Sequence, residues 1–128
     1  ACLAVHIWID CEGEIVCHKL ERALINSHAR LTYTQVQQAR DGFSDSVTDE
    51  LMESVINPIF SAYQCLASAR NRRQPLKITT AETEVILDVN GNVQSLFQRP
   101  NLESYKLIEE FMIAANVVAA KILENKFY

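Results

Sequence analysis

The sequence predicts an α+β fold: an antiparallel sheet built from two hairpins, packed against three or four helices. Three observations predict it. Val5, Ile7 and Ile9 alternate with His6, Trp8 and Asp10, the two-residue period of a strand with one buried face. Glu12-Gly13-Glu14 then supplies a turn, and Ile15 to about Ile25 returns as a second extended segment. Later, Val85 to Val89 and Val93 to Phe97 flank Asn90-Gly91, a strong short-range hairpin signal. Between and after these pairs the apolar residues recur at helical spacing. Two hairpins imply antiparallel pairing, because parallel strands would need crossover connections.

The helices follow in order. Thr32-Tyr33-Thr34-Gln35 fits a capping box, with Thr32 as N-cap and Gln35 reaching back to it. This helix is short and ends near Asp41-Gly42, and Gly42 to Thr48 reads as a polar loop. A longer helical pattern runs from Val47 to about Arg73, with Leu51, Val55, Ile59, Tyr63, Leu66 and Ala67 on one face. Asn57-Pro58 interrupts it, either as a kink or as a fresh start with Pro58 at the first helical position. Pro75 closes the region, and Leu76 to Ile78 reads as a short extended piece. After Pro100-Asn101 the last helix runs from about Leu102 to Asn125.

Composition narrows the class. With 48% hydrophobic and 22% charged residues over 128 positions, the chain has enough apolar material for a core and reads as globular, not disordered. A net charge of −4 argues against a domain whose total charge draws it to nucleic acid. The basic cluster Arg70, Arg72, Arg73 and Lys77 suits a helix C-terminus. Four cysteines, Cys2, Cys11, Cys17 and Cys65, lack the close spacing of zinc ligands, so reduced thiols in a cytoplasmic protein are expected. No stretch approaches a membrane span, and the opening residues lack the charged region of a signal peptide. Because the chain starts with Ala1 and enters a strand pattern almost at once, it is expected to be part of something longer.

The segment Leu107-Ile108-Glu109-Glu110-Phe111-Met112-Ile113-Ala114-Ala115-Asn116 stands apart. Projected on a helix, Ile108, Phe111, Met112, Ala115, Ala119 and Ile122 form the expected buried stripe. Ile113, Ala114, Val117 and Ala120 lie on the other side, where a surface helix would be polar. Such a helix fits inside a larger body, and its faces around Ile113, Val117 and Ala120 are expected to drive self-association if left uncovered. Glu109 and Glu110 are then either first-turn acids favoured by the helix dipole or carboxylates kept for a purpose.

Three segments combine into a resemblance: Ser27-His28-Ala29-Arg30-Leu31-Thr32-Tyr33, the stretch Tyr63…Ala69-Arg70…Arg73, and Leu107-Ile108-Glu109-Glu110-Phe111-Met112. In this order they resemble the catalytic RNB module of the ribonuclease II and ribonuclease R family, leaning toward the ribonuclease R branch. Ala29 to Tyr33 is similar to the family's ARLTY signature, and Leu107 to Asn116 to its LIEEFM…AN signature. The resemblance covers all 128 residues and implies a partial RNB domain downstream of the family's catalytic aspartates. It implies a magnesium-dependent, processive 3′-to-5′ hydrolase of single-stranded RNA that releases nucleoside 5′-monophosphates. Asp10, Asp41, Asp45, Asp49 and Asp88 are scattered, so no catalytic residue and no metal ligand is expected here, and the chain alone is expected to be inactive.

What the resemblance carries over is a substrate cradle. Tyr33 matches the tyrosine that positions RNA near its 3′ end, a role that stacking or hydrogen bonding by a phenol can fill. Glu109 and Glu110 match the paired glutamates, one of which recognises the terminal nucleotide; a carboxylate accepts from a 2′-hydroxyl. Helical projection places Glu109 beside the Met112–Asn116 edge and Glu110 nearly opposite, which leaves open which of the two meets RNA. The preferred assignment makes Glu109 a structural partner near Asn116 and gives Glu110 the RNA side. Ile78 falls where many members carry a base-stacking phenylalanine, and Gln74 replaces the usual glycine before that strand. The competing functions are a degenerate, non-catalytic RNB-like RNA-binding or scaffolding protein, and a metal or redox module built on the cysteines.

Overall fold

The structure is a computed structural model and describes residues 1–76, 83–98 and 101–127. In chain order the elements are β1 (Cys2–Ile9), β2 (Ile15–Ala23), α1 (Tyr33–Arg40), α2 (Ser46–Leu51), a π-helical turn (Met52–Ile56), α3 (Asn57–Arg72), β3 (Thr83–Leu87), β4 (Val93–Gln98) and α4 (Glu103–Phe127). The α+β class and both hairpins are as the sequence predicts. Each hairpin is a separate two-stranded antiparallel sheet among the described residues.

The two hairpins turn by one device. Gly13 and Gly91 both have positive φ and donate their N–H to the carbonyl three residues back, on Asp10 and Asp88. Asp10 Oδ1 accepts from Glu12 and Glu14 N–H, each at 2.9 Å, and Asp88 Oδ1 accepts from Asn90 at 2.8 Å and Asn92 at 2.9 Å. A left-handed glycine after such a turn produces the bulge that ends the pairing, and both ladders shift register beside the turn. The strong signal at Asn90-Gly91 therefore works through Gly91 and the Asp88 side chain. At Gly13 an added Cβ would meet the Cys65 carbonyl oxygen at 2.1 Å, so this turn lies directly on α3. Arg72 secures the same junction, donating to the Glu12 carbonyl at 2.7 Å and reaching Glu14 at 3.4 Å.

The helices form the core. Ala39, Ile56, Phe60, Tyr63 and Leu107 are buried together, with Val36, Leu51, Met52, Ile59, Ala67 and Phe111 packed against them. Thr32 caps α1 as expected, completing the box with Gln35. The loop that follows is shorter than predicted: Asp45 caps α2 in a second box with Thr48, which is buried. Hydrogen bonds from the Thr48 backbone and side chain hold the Asp45 carboxyl below the usual aspartate range.

One predicted face holds at most positions and one is rotated. In the long helical region Tyr63 is buried and Leu51, Ile59 and Ala67 pack against the core as expected, while Val55 is exposed and Ile56 and Phe60 are buried beside them. The reason is the π-helical turn, whose extra residue before Pro58 advances the facing position and relieves the crowding a proline imposes on the preceding turn. In α4 the buried positions are Ser104, Leu107, Glu110, Ala114 and Val118, not the stripe through Ile108 and Met112, and Met112 is 60% exposed. A helix apolar on nearly every side has no hydrophobic phase to read, and the face it buries carries a polar contact.

Candidate functional site

That contact joins α3 to α4. Arg70 donates to Glu110 Oε1 and lies 4.0 Å from Glu109 Oε1. Glu110 is 6% exposed, whereas the Glu109 side chain is 59% exposed. Glu110, not Glu109, is the carboxylate buried against a protein partner, and Glu109 is the more exposed of the two. The physical cause is the rotation of α4, which turns Glu110 toward the C-terminal end of α3. Neither acid is in the first turn, which holds Glu103.

Arg70 is more than a helix-end cation. The Glu110 hydrogen bond, and then its charge, raise the guanidinium further above its ordinary range. Tyr63 lies beside it on the core face of α3. Burial pushes its phenol up, and the Glu103 and Glu110 carboxylates add to that by opposing a second negative charge.

Tyr33 stands at the first turn of α1 and is 41% exposed. Its ring lies against Tyr105 of α4, with centroids 4.4 Å apart and planes inclined by 38°. Its backbone carbonyl accepts from Ser104 Oγ at 2.9 Å, while the Ser104 N–H donates to Gln37 Oε1 at 3.1 Å. Ser104 is 2% exposed, so the clasp between α1 and α4 is shielded from water. Beside it opens a groove of ≈ 320 Å³ lined by Leu31, Thr32, Tyr33, Val36, Ile59, Ser104, Leu107 and Ile108.

The structure thus brings Tyr33 and the glutamate helix to one helical body, through Ser104 and Tyr105. Ile78 lies outside the described residues. Sequence reasoning missed Ser104, Tyr105 and the Arg70–Glu110 pair. Tyr33 and Tyr105 are far apart in the chain, and no local pattern joins them. Arg70 and Glu110 were each legible singly, and only the packing pairs them.

Among the described residues no three His, Cys, Asp or Glu side chains are grouped to hold a metal ion. The donors present therefore do not fit a divalent-ion site, and the chemistry these residues offer is binding: an aromatic platform, an exposed carboxylate and backbone donors at a helix start. The four cysteines are free thiols.

The chain belongs to the RNB domain family, which matches residues 1–127. It is similar to ribonuclease R of Vibrio cholerae, 32% identical over 127 residues that cover 97% of this chain and 15% of that protein. Ribonuclease R of Escherichia coli is 29% identical over 126 residues, with the same coverage. Among solved structures, the apo form of Mycoplasma genitalium RNase R matches with a TM-score of 0.89 at 25% identity, over 97% of this chain and 19% of that one. The same enzyme in complex with ribose methylated single-stranded RNA matches with a TM-score of 0.86 at 26% identity, over 94% and 19%. The chain spans about 15% of the length of those two curated relatives.

Proposed function

We propose that these residues form part of the RNA cradle of a 3′-to-5′ exoribonuclease, which hydrolyses single-stranded RNA processively to nucleoside 5′-monophosphates in the cytoplasm. The observation that carries the reading is the RNB family match over residues 1–127 on a fold similar to an RNase R captured with RNA. In this reading Tyr33 positions the RNA near its 3′ end by stacking or hydrogen bonding. Glu109, exposed beside a Glu110 that is buried and paired with Arg70, is the one of the two with a surface open to accept from a ribose hydroxyl. Ile78 is the residue this reading assigns to the terminal base, an aliphatic side chain where the resemblance implies an aromatic one. The chain is a partial RNB domain, and the hydrolytic chemistry, with magnesium as its ion, is supplied by residues outside these 128.

Two proteins separate the parts of this reading. The full-length enzyme should release nucleoside monophosphates from a fluorescent single-stranded RNA when magnesium is supplied, and the 128-residue chain should release none. Monophosphate release by the short chain would overturn the division of labour. A full-length protein without activity, and without a clustered aspartate motif, would favour a non-catalytic RNA-binding or scaffolding member. No helix among the described residues is long and apolar enough to cross a membrane, and none is required.

A further inference from the structure

Ser104 and Tyr105 are neighbours on α4, and both act on the same residue of α1. The Ser104 hydroxyl holds the Tyr33 main chain, and the Tyr105 ring lies on the Tyr33 ring. The capping box of Thr32 and Gln35 fixes the backbone from the other side. Neither tyrosine belongs to the buried cluster around Phe60, and Tyr33 keeps 41% of its surface open. An exposed phenol at a helix start would otherwise turn freely about two torsions and lose that freedom each time a base stacked on it.

We propose that Tyr105 is a positioning residue for substrate: it buttresses one side of the Tyr33 ring and so presents the remaining surface to a nucleobase in a set orientation. The proposal rests on the reading of Tyr33 as an RNA contact. Its ring separation is that of an aromatic pair in direct contact, close enough for the two rings to move as one. The need is for a flat partner, so phenylalanine should serve where an aliphatic side chain of similar bulk should not.

The test uses the full-length enzyme with divalent ions chelated and a short RNA ending in 2-aminopurine riboside, whose fluorescence is quenched by stacking. Tyr105→Phe should bind and quench as the parent does. Tyr105→Leu and Tyr105→Met should retain the fold by circular dichroism, yet lose most of the quenching and bind about tenfold more weakly, the scale of a compromised base–aromatic stack. Tyr33→Ala is the companion variant. If it abolishes quenching while Tyr105→Leu matches the parent, the positioning role is overturned and the Tyr33 reading stands. If Tyr33→Ala changes nothing, the reading of Tyr33 fails and takes the proposal with it. If both aliphatic variants of Tyr105 unfold, the residue serves packing and the proposal is overturned.

Discussion

Glu109 and Glu110 are adjacent in sequence and opposite in circumstance. Glu110 gave up its water to lie against Arg70, so removing it strands a cation at the α3–α4 contact. Because the Arg70 side chain is itself 37% exposed, water recovers part of the loss. Glu110→Ala is expected to destabilise by about 2 kcal/mol, short of the penalty for a fully buried pair, while Glu109→Gln should stay within ~0.5 kcal/mol. Urea denaturation of both variants measures the difference, and equal losses would contradict the assigned orientation. Gln74 offers a gain instead. It is the one non-glycine residue with positive φ among those described, at 50°, and it precedes Pro75, which restricts it further. Gln74 is thus a strained helix terminus, and Gln74→Gly should stabilise by roughly 0.5–1 kcal/mol in the same assay.

At the scale of elements, the legible features were those written within a few residues. The Thr32–Gln35 box, the turn at Gly13 and the hairpin at Gly91 are local chemistry, and each lies where the residues indicated. The Asp45–Thr48 box was equally local but hidden, because threonine served where a glutamate or glutamine is the usual signal. The facing of α3 was legible in part, at Ile59, Tyr63 and Ala67, and that of α4 was not. One extra residue in the π-helical turn moved Ile56 and Phe60 inward, and the buried Glu110 broke the rule that core faces are apolar. The Asp45 cap also makes α2 responsive to acid. A carboxyl held below its ordinary range contributes stability that is present above the usual aspartate pKa and is lost as pH falls through the lowered one. Amide exchange at Val47 and Thr48 should therefore quicken as pH drops below that range, after correction for intrinsic rates. Asp45→Asn should flatten the response, and an unchanged profile in that variant would remove the cap as its cause.

Across the whole molecule, a small helical core carries two hairpins whose surfaces are largely open. Leu3, Leu24, Ile25 and Val89 are exposed, as are Met112, Val117 and Leu123 along α4. The apolar excess of α4 was visible in the sequence, and the chain spans about 15% of the length of its ribonuclease R relatives. The 128-residue chain is expected to self-associate through the α4 face that includes Val117 and Ala120. Sedimentation velocity across a concentration series checks this, with Val117→Lys expected to shift the population toward monomer. A monodisperse monomer at high concentration would contradict it.

The Ser104 clasp has a further consequence, in the order of events rather than in the finished fold. It joins residues 71 apart, so it closes a long loop for one hydroxyl hydrogen bond, and that closure is favourable only once α3 has brought its neighbours together. Tyr33 is therefore expected to be organised late in folding and released early in unfolding. Ser104→Ala should speed unfolding while leaving the folding rate nearly unchanged, a pattern stopped-flow kinetics would read directly. Such a seam can loosen while the rest of the helical core stands, which gives the cradle a clock of its own.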